Sequence, residues 1–168
     1  MADTPSRPQI LLAWLALIVG CVLMSLALLR YGLSVEAHVR LWRDILDRPG
    51  GPMSFRFVLQ PLMAAIAAYH DGARDARAGR PAYLSALITG AADRGALVSE
   101  ALISTARIVL LGFAMDGIYQ ATVLKTFYPG EMLVIAVALA FVPYLLLRGA
   151  FTRLLHERAI RRDPGKTS

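Results

Sequence analysis

The hydrophobic positions gather into five blocks joined by polar, proline- and glycine-containing stretches. Residues 1–9 are polar, contain Pro5 and Pro8, and read as a short disordered tail. Ile10 to Leu29 follows with Ser25 as its only clearly polar side chain. At 1.5 Å rise per residue this run reaches about 30 Å, the thickness of a bilayer core, and predicts a transmembrane helix over 10–29. Between Ser34 and Arg48 the pattern changes. Val35, Val39, Trp42, Ile45 and Leu46 share one helical face, and Glu36, Arg40, Arg43, Asp44 and Asp47 share the other. This is an amphipathic helix over 34–48 lying in the membrane interface, with Ser34 as N-cap and Trp42 as the interfacial anchor. Glu36/Arg40 and Arg40/Asp44 are i,i+4 pairs of opposite charge. Pro49-Gly50-Gly51-Pro52 ends the helix.

The third block, Phe55 to Tyr69, is only fifteen residues long and contains Arg56, Gln60 and Pro61. That length suits a membrane-dipping or re-entrant helix over 55–79 with a polar end, stopped by Gly79 and Pro81. Tyr83 to Arg94 is a mixed connector. Residues 96–124 form a long helical pattern with charges inside it, and 131–148 is apolar, contains Pro143 and closes at Arg148. Its apolar stretch covers about 24 Å, so it spans if Glu131 and Arg148 snorkel to the two interfaces. Residues 149–168 form a basic tail.

Composition agrees with a bilayer. The 168-residue chain is 57% hydrophobic and 18% charged, with a mean hydropathy of +0.53. Soluble domains run about 45–50% apolar and 25% charged. Intrinsic disorder, collagen, coiled coil and a disulfide scaffold are excluded on the same numbers, and a single cysteine forms no internal disulfide. The net charge of +6 is read as topology rather than as nucleic-acid binding. With three spans and the 55–69 helix not crossing, fifteen basic residues fall on one side and two on the other; with four spans the division is eleven to six. The positive-inside rule therefore favours three, with the N-terminus outside and the C-terminus cytoplasmic. An all-α integral membrane protein with three, alternatively four, transmembrane helices plus an amphipathic interfacial helix is the expected fold class.

A secretory signal peptide would have an apolar region of about 7–15 residues, shorter than the first block. Ile18-Val19-Gly20-Cys21 resembles the lipobox of bacterial lipoproteins, but Val22 to Leu29 stays apolar beyond the cysteine.

The run from Phe55 to Arg153 carries a likeness in Arg56-Phe57-Val58-Leu59-Gln60-Pro61-Leu62-Met63, Asp71-Gly72 with Asp75 to Arg80, Met115-Asp116-Gly117-Ile118-Tyr119-Gln120 and Phe127-Tyr128-Pro129-Gly130-Glu131. These segments resemble an uncharacterised family of small proteobacterial inner-membrane proteins. The resemblance implies a bacterial inner-membrane location and brings no catalytic or ligand residues with it.

Candidate chemistry is sparse. A charge at mid-bilayer costs about 2.5–3.5 kcal/mol on insertion scales, so Arg107 and Asp116 are expected to face protein or water. Nine positions apart, they lie on roughly opposite faces and do not pair with each other. Glu100, Ser104 and Arg107 share one face; Thr105, Gly112, Asp116 and Gln120 share the other. Two polar faces point to two partners, another helix of this chain and a neighbouring subunit (a membrane-protein partner or a second copy, making a homo-oligomer). The plainer reading is snorkelling, Arg107 toward the cytoplasm and Asp116 toward the outer interface. Arg74, Arg77 and Arg80 are candidates for converging on an anionic headgroup or partner. The Asp71–Arg80 stretch also resembles the opening of the CDP-alcohol phosphotransferase motif. Three residues rather than two separate Gly72 from Ala76-Arg77, and Ala68 stands where an Asp is needed, so no enzyme is expected. His38, His70 and His156 show no metal spacing, and no cofactor motif is present. Ala16/Gly20, Ala64/Ala68 and Ala136/Ala140 permit close helix packing. The chain is thus expected to be an accessory, scaffold or assembly subunit, with a homo-oligomeric transporter or channel using the charges of 96–124 as the alternative.

Overall fold

The computed structural model describes residues 5–32, 34–90 and 93–162, with side chains at all of them except 37 and 159–162. The described residues are 87% helical, with no strand among them. Helix α1 (Arg7–Tyr31) starts three residues before the first apolar block. The Ser6 amide donates to Gln9 Oε1 at 2.8 Å, and Pro8 sits in the first turn where its missing N–H costs nothing, so residues 7–9 belong to the helix and not to a disordered tail. The rest of that tail, 1–4, lies outside the described residues.

Helix α2 (Val35–Asp47) follows directly after Ser34 and gives way to a 3₁₀ turn over Arg48–Gly50. Helix α3 (Arg56–Arg77) runs through Pro61 without a break, and α4 (Tyr83–Thr89) forms in the connector. Helix α5 (Arg94–Tyr119) is capped by Asp93, whose side chain accepts the Gly95 amide at 2.9 Å. A π turn over Gln120–Leu124 extends it. Helices α6 (Pro129–Ala136) and α7 (Val142–Arg162) form one rod through a second π turn, Val137–Phe141. Pro143 lacks the N–H and crowds the preceding turn, and the wider spacing there lets the Val142 amide reach the Val137 carbonyl. The basic stretch from 149 to 162 is thus helical; 163–168 lies outside the described residues.

The four long rods alternate in direction. The Tyr31 hydroxyl donates to the Phe127 carbonyl, and Gly130 backs onto Ala27, so the end of α1 meets the start of α6. Gln60 of α3 and Ala136 of α6 meet at Gly112 of α5, while Asp75 of α3 meets Arg148 of α7. So α1 and α5 run one way, and α3 and α6–α7 the other. Helix α3 is one continuous helix that packs against α7, the second π turn and α5.

The centre is built from small residues. Ala64, Ala68, Ala101, Ala136 and Ala140 are completely buried, at helix spacings that turn them onto one another. Gly112 has no room for a side chain: a Cβ there would lie 3.0 Å from the Ala136 Cβ and 3.3 Å from its Cα. The outside is apolar instead. Leu11, Trp14, Leu15, Ile18, Val22 and Leu29 of α1 are exposed, as are Val58, Leu62 and Ile66 of α3. Three rods, Arg7–Tyr31, Arg94–Leu124 and Pro129–Arg158, are long and apolar enough to cross a membrane.

Candidate functional site

The polar residues turned away from that outer surface form two ionic layers. Glu100 and Asp116 mark their separation along α5, sixteen residues or about 24 Å, close to the thickness of a hydrocarbon core.

The first layer is centred on Asp116, which is 0% exposed. Its Oδ1 accepts from Arg48 Nη1 and from Arg56 Nη1, the latter at 2.7 Å. Its Oδ2 accepts from Gln120 Nε2 at 2.7 Å. Gln120 also clasps the turn before α6, accepting the Tyr128 amide and donating to the Tyr128 carbonyl. Arg48 reaches on to Glu131 Oε2 at 2.5 Å. The Tyr119 ring lies under both guanidinium groups, 4.8 Å from Arg48 and 5.0 Å from Arg56. At the edge, Arg40 is stacked between Tyr31 and Tyr128 and stands 3.9 Å from Glu131 Oε1.

The second layer is centred on Arg148, 1% exposed. Its Nε donates to Asp75 Oδ2 at 2.8 Å, Nη1 to the Tyr144 hydroxyl at 2.9 Å and Nη2 to Glu100 Oε1 at 2.9 Å. Asp71 Oδ2 accepts from Tyr144 and Ser104, each at 2.7 Å. Arg148 also stacks on the Tyr83 ring at 4.2 Å. Burial pushes the Tyr83 phenol up to about 12, which keeps it protonated as donor to the Leu97 carbonyl. Two cavities of about 530 and 400 Å³, sharing Arg80, Ala96 and Glu100, open this layer at its end of the bundle.

Several sequence expectations change here. Glu100, Asp116 and Gln120 do not wait for a partner, because α3, the turn at Arg48 and the α6–α7 rod supply theirs from within the chain. Glu131 and Arg148 do not snorkel; both are buried in ion pairs. Arg40 turns to Glu131 and two tyrosine rings rather than along α2 to Glu36 or Asp44. Arg74 and Arg80 line the same cavity of about 530 Å³, Arg74 leaning on Asp71 and Arg80 lying 3.3 Å from Asp75, whereas Arg77 bonds its own helix at Ala73. Arg107 stands alone. It is exposed on α5 between the layers, in line with Ala114 and Ile118, and pairs with nothing among the described residues.

Helix α2 keeps its amphipathic character but in an unforeseen posture. Val35, Val39, Trp42 and Leu46 face outward, while Arg40 and the following Arg48 cover the first layer. The signal for the missed residues is a repeat of four: Arg56, Gln60, Ala64 and Ala68 descend one face of α3 and end at Asp71 and Asp75. Ala136, Ala140, Tyr144, Arg148 and Thr152 do the same along α6–α7.

Fold and site together define an all-helical bundle with paired charges inside, an apolar exterior and three rods able to span a membrane. Comparison of the chain with protein-family models, curated proteins and solved structures finds no match.

Proposed function

We propose that this chain is an accessory or scaffold subunit of a bacterial inner membrane, crossing it four times and acting by helix contacts with another membrane protein. Four crossings rather than three are supported by α3, whose ionic residues Arg56, Asp71 and Asp75 are buried and whose outward side chains include Val58, Leu62 and Ile66. Both termini then lie on the side holding eleven basic residues against six, and two of those six, Arg48 and Arg56, are buried in ion pairs. The positive-inside rule makes that side cytoplasmic. Trp42 and the exposed stripe of α2 anchor that helix in the opposite interface.

The observation that carries the function is Arg107. Every other charge between the layers' limits is paired inside the chain, and this one faces outward at mid-depth, where an unpaired guanidinium costs about 2.5–3.5 kcal/mol. A helix carrying a carboxylate at that depth relieves the cost. A second copy offers none at that depth, since Asp71, Asp75, Glu100, Asp116 and Glu131 all lie in the two ionic layers. The test is purification of the C-terminally tagged chain in mild detergent with identification of what accompanies it. A stoichiometric foreign membrane protein, lost with Arg107→Leu while the chain's own level holds, is expected. A pure homo-oligomer unaffected by Arg107→Leu overturns the proposal. The alternative, a homo-oligomeric transporter or channel, draws support from the cavities beside Glu100. It predicts loss of flux in Asp116→Asn with assembly intact.

A further inference from the structure

Where α1, α2 and the start of α6 meet, the bundle is not closed. A cavity of about 150 Å³ lies there, walled by Ala27, Leu28 and Val134 and bordered by Arg40 and Glu131. It shares Met24 and Leu133 with a second cavity of about 380 Å³ that runs on toward the middle of the bundle between α1, α5 and α6. The second is apolar along its length, with Leu17, Val109, Phe113 and Phe141 among its walls. Met24, unbranched and flexible, is the side chain at the junction. The result is a greasy groove that ends in a pair of charges.

That pair is unlike the others in its layer. Arg40 Nε and Glu131 Oε1 stand 3.9 Å apart and neither has a hydrogen-bond partner, although Glu131 is 2% exposed. Arg48 occupies only the other oxygen of Glu131. Asp44, one turn along α2 from Arg40, brings a second carboxyl group within hydrogen-bonding reach of Glu131, again without supplying a cation. A buried acceptor and a donor left open in this way call for a ligand that brings both a donor and an acceptor. An apolar groove leading from them calls for a hydrocarbon chain.

We propose that this cleft binds one bilayer phospholipid with a primary-ammonium, ethanolamine-type headgroup. Its phosphate accepts from Arg40 Nε, its ammonium N–H donates to Glu131 Oε1, and an acyl chain lies along the α1–α6 groove past Met24 and Leu133. The inference shares the membrane location with the proposed function but is independent of any protein partner. The headgroup choice follows from the acceptor. A choline headgroup is equally zwitterionic but has no N–H to give to Glu131. A glycerol headgroup leaves a net negative phosphate facing Glu131 and Asp44.

The experiment is native mass spectrometry of the full chain in detergent, titrated separately with ethanolamine, choline and glycerol phospholipids of the same acyl chains. One ethanolamine-lipid adduct is expected, with at least tenfold preference over the other two, the effect of one charge-assisted hydrogen bond. Glu131→Gln, which turns the acceptor side into a donor, is expected to reduce ethanolamine-lipid binding to the choline-lipid level, and Arg40→Ala, on the rim, to weaken all three lipids through the lost phosphate contact. Leu133→Trp fills the groove and is expected to remove the adduct for all three lipids. Helicity and monodispersity of each variant serve as the folding control. Equal occupancy by the three lipids, a preference for the glycerol lipid, or no adduct at all overturns the proposal. So does an ethanolamine preference that survives in folded Glu131→Gln, or an adduct of undiminished affinity in folded Arg40→Ala or Leu133→Trp.

Discussion

Replacing Arg148 by Met tests most directly whether the inner ionic layers hold the bundle together. Methionine keeps the length and apolar stem of the side chain and removes only the guanidinium. Three bonds disappear with it, to Asp75, Tyr144 and Glu100. Asp75 is left almost fully buried, with the half-exposed Arg80 at 3.3 Å as its remaining cation. Stranding a buried charge by removing its partner typically costs about 3–5 kcal/mol. Because Arg80 stays near, the lower end, about 3 kcal/mol, is expected. An arginine snorkelling at the end of a helix contributes at most about 1 kcal/mol, so the two pictures of this residue are well separated. The assay is reversible urea or SDS unfolding in micelles followed by circular dichroism. Asp75→Asn in the Arg148→Met background should restore part of the loss, with a coupling of about 0.5–3 kcal/mol between the two sites. A cost below about 1 kcal/mol for Arg148→Met, or strict additivity with Asp75→Asn, refutes the reasoning.

Glycine contacts give a second check. Helical Gly→Ala is normally favourable by about 1 kcal/mol, but a Cβ on Gly72 would meet the Arg148 carbonyl at 3.0 Å and the Thr152 amide at 3.2 Å. Gly72→Ala and Gly112→Ala should therefore each destabilise the fold by about 1–3 kcal/mol in the same unfolding assay. Tyr83 ties stability to alkaline pH. Its phenol holds its proton to about 12 when folded and to about 10 when unfolded, so the folded chain binds more protons in that window and its stability falls as pH rises through it. Melting temperatures between pH 9 and 12 should fall less steeply for Tyr83→Phe, which also loses about 1 kcal/mol at neutral pH with the bond to Leu97. Finally, reporter fusions at residues 50 and 85 should report opposite sides of the membrane; the same side would mean that α3 does not cross.

Much of the framework is written locally in the chain. The apolar runs that became α1, α5 and α6–α7, and the two-faced pattern of α2, depend on side chains within a few turns of one another. Hydrogen-bond spacing and hydropathy act at that range, so these elements can be read without knowing what surrounds them. The start of α1 was missed by three residues because the Ser6–Gln9 cap is polar and a hydropathy reading sees only the greasy part of a helix. Even the small residues at 64, 68, 136 and 140 could be noticed as packing sites, though not matched with one another.

Only the tertiary structure decided what the charges do. Arg48 and Asp116 are 68 residues apart, Arg56 and Asp116 60, Arg148 and Asp75 73. An isolated charge in an apolar run announces a cost, and the run itself does not say which distant side chain offsets it. The third block is short and carries charges at both ends, and its own sequence does not say what those charges meet. Once α3 lies beside α7, those ends are the counter-charges of the other helices. The same charges that argue for the membrane surface in one dimension argue for the bundle interior in three. Arg107 is left exposed for the converse reason: the fold that paired the neighbouring charges turned this one outward.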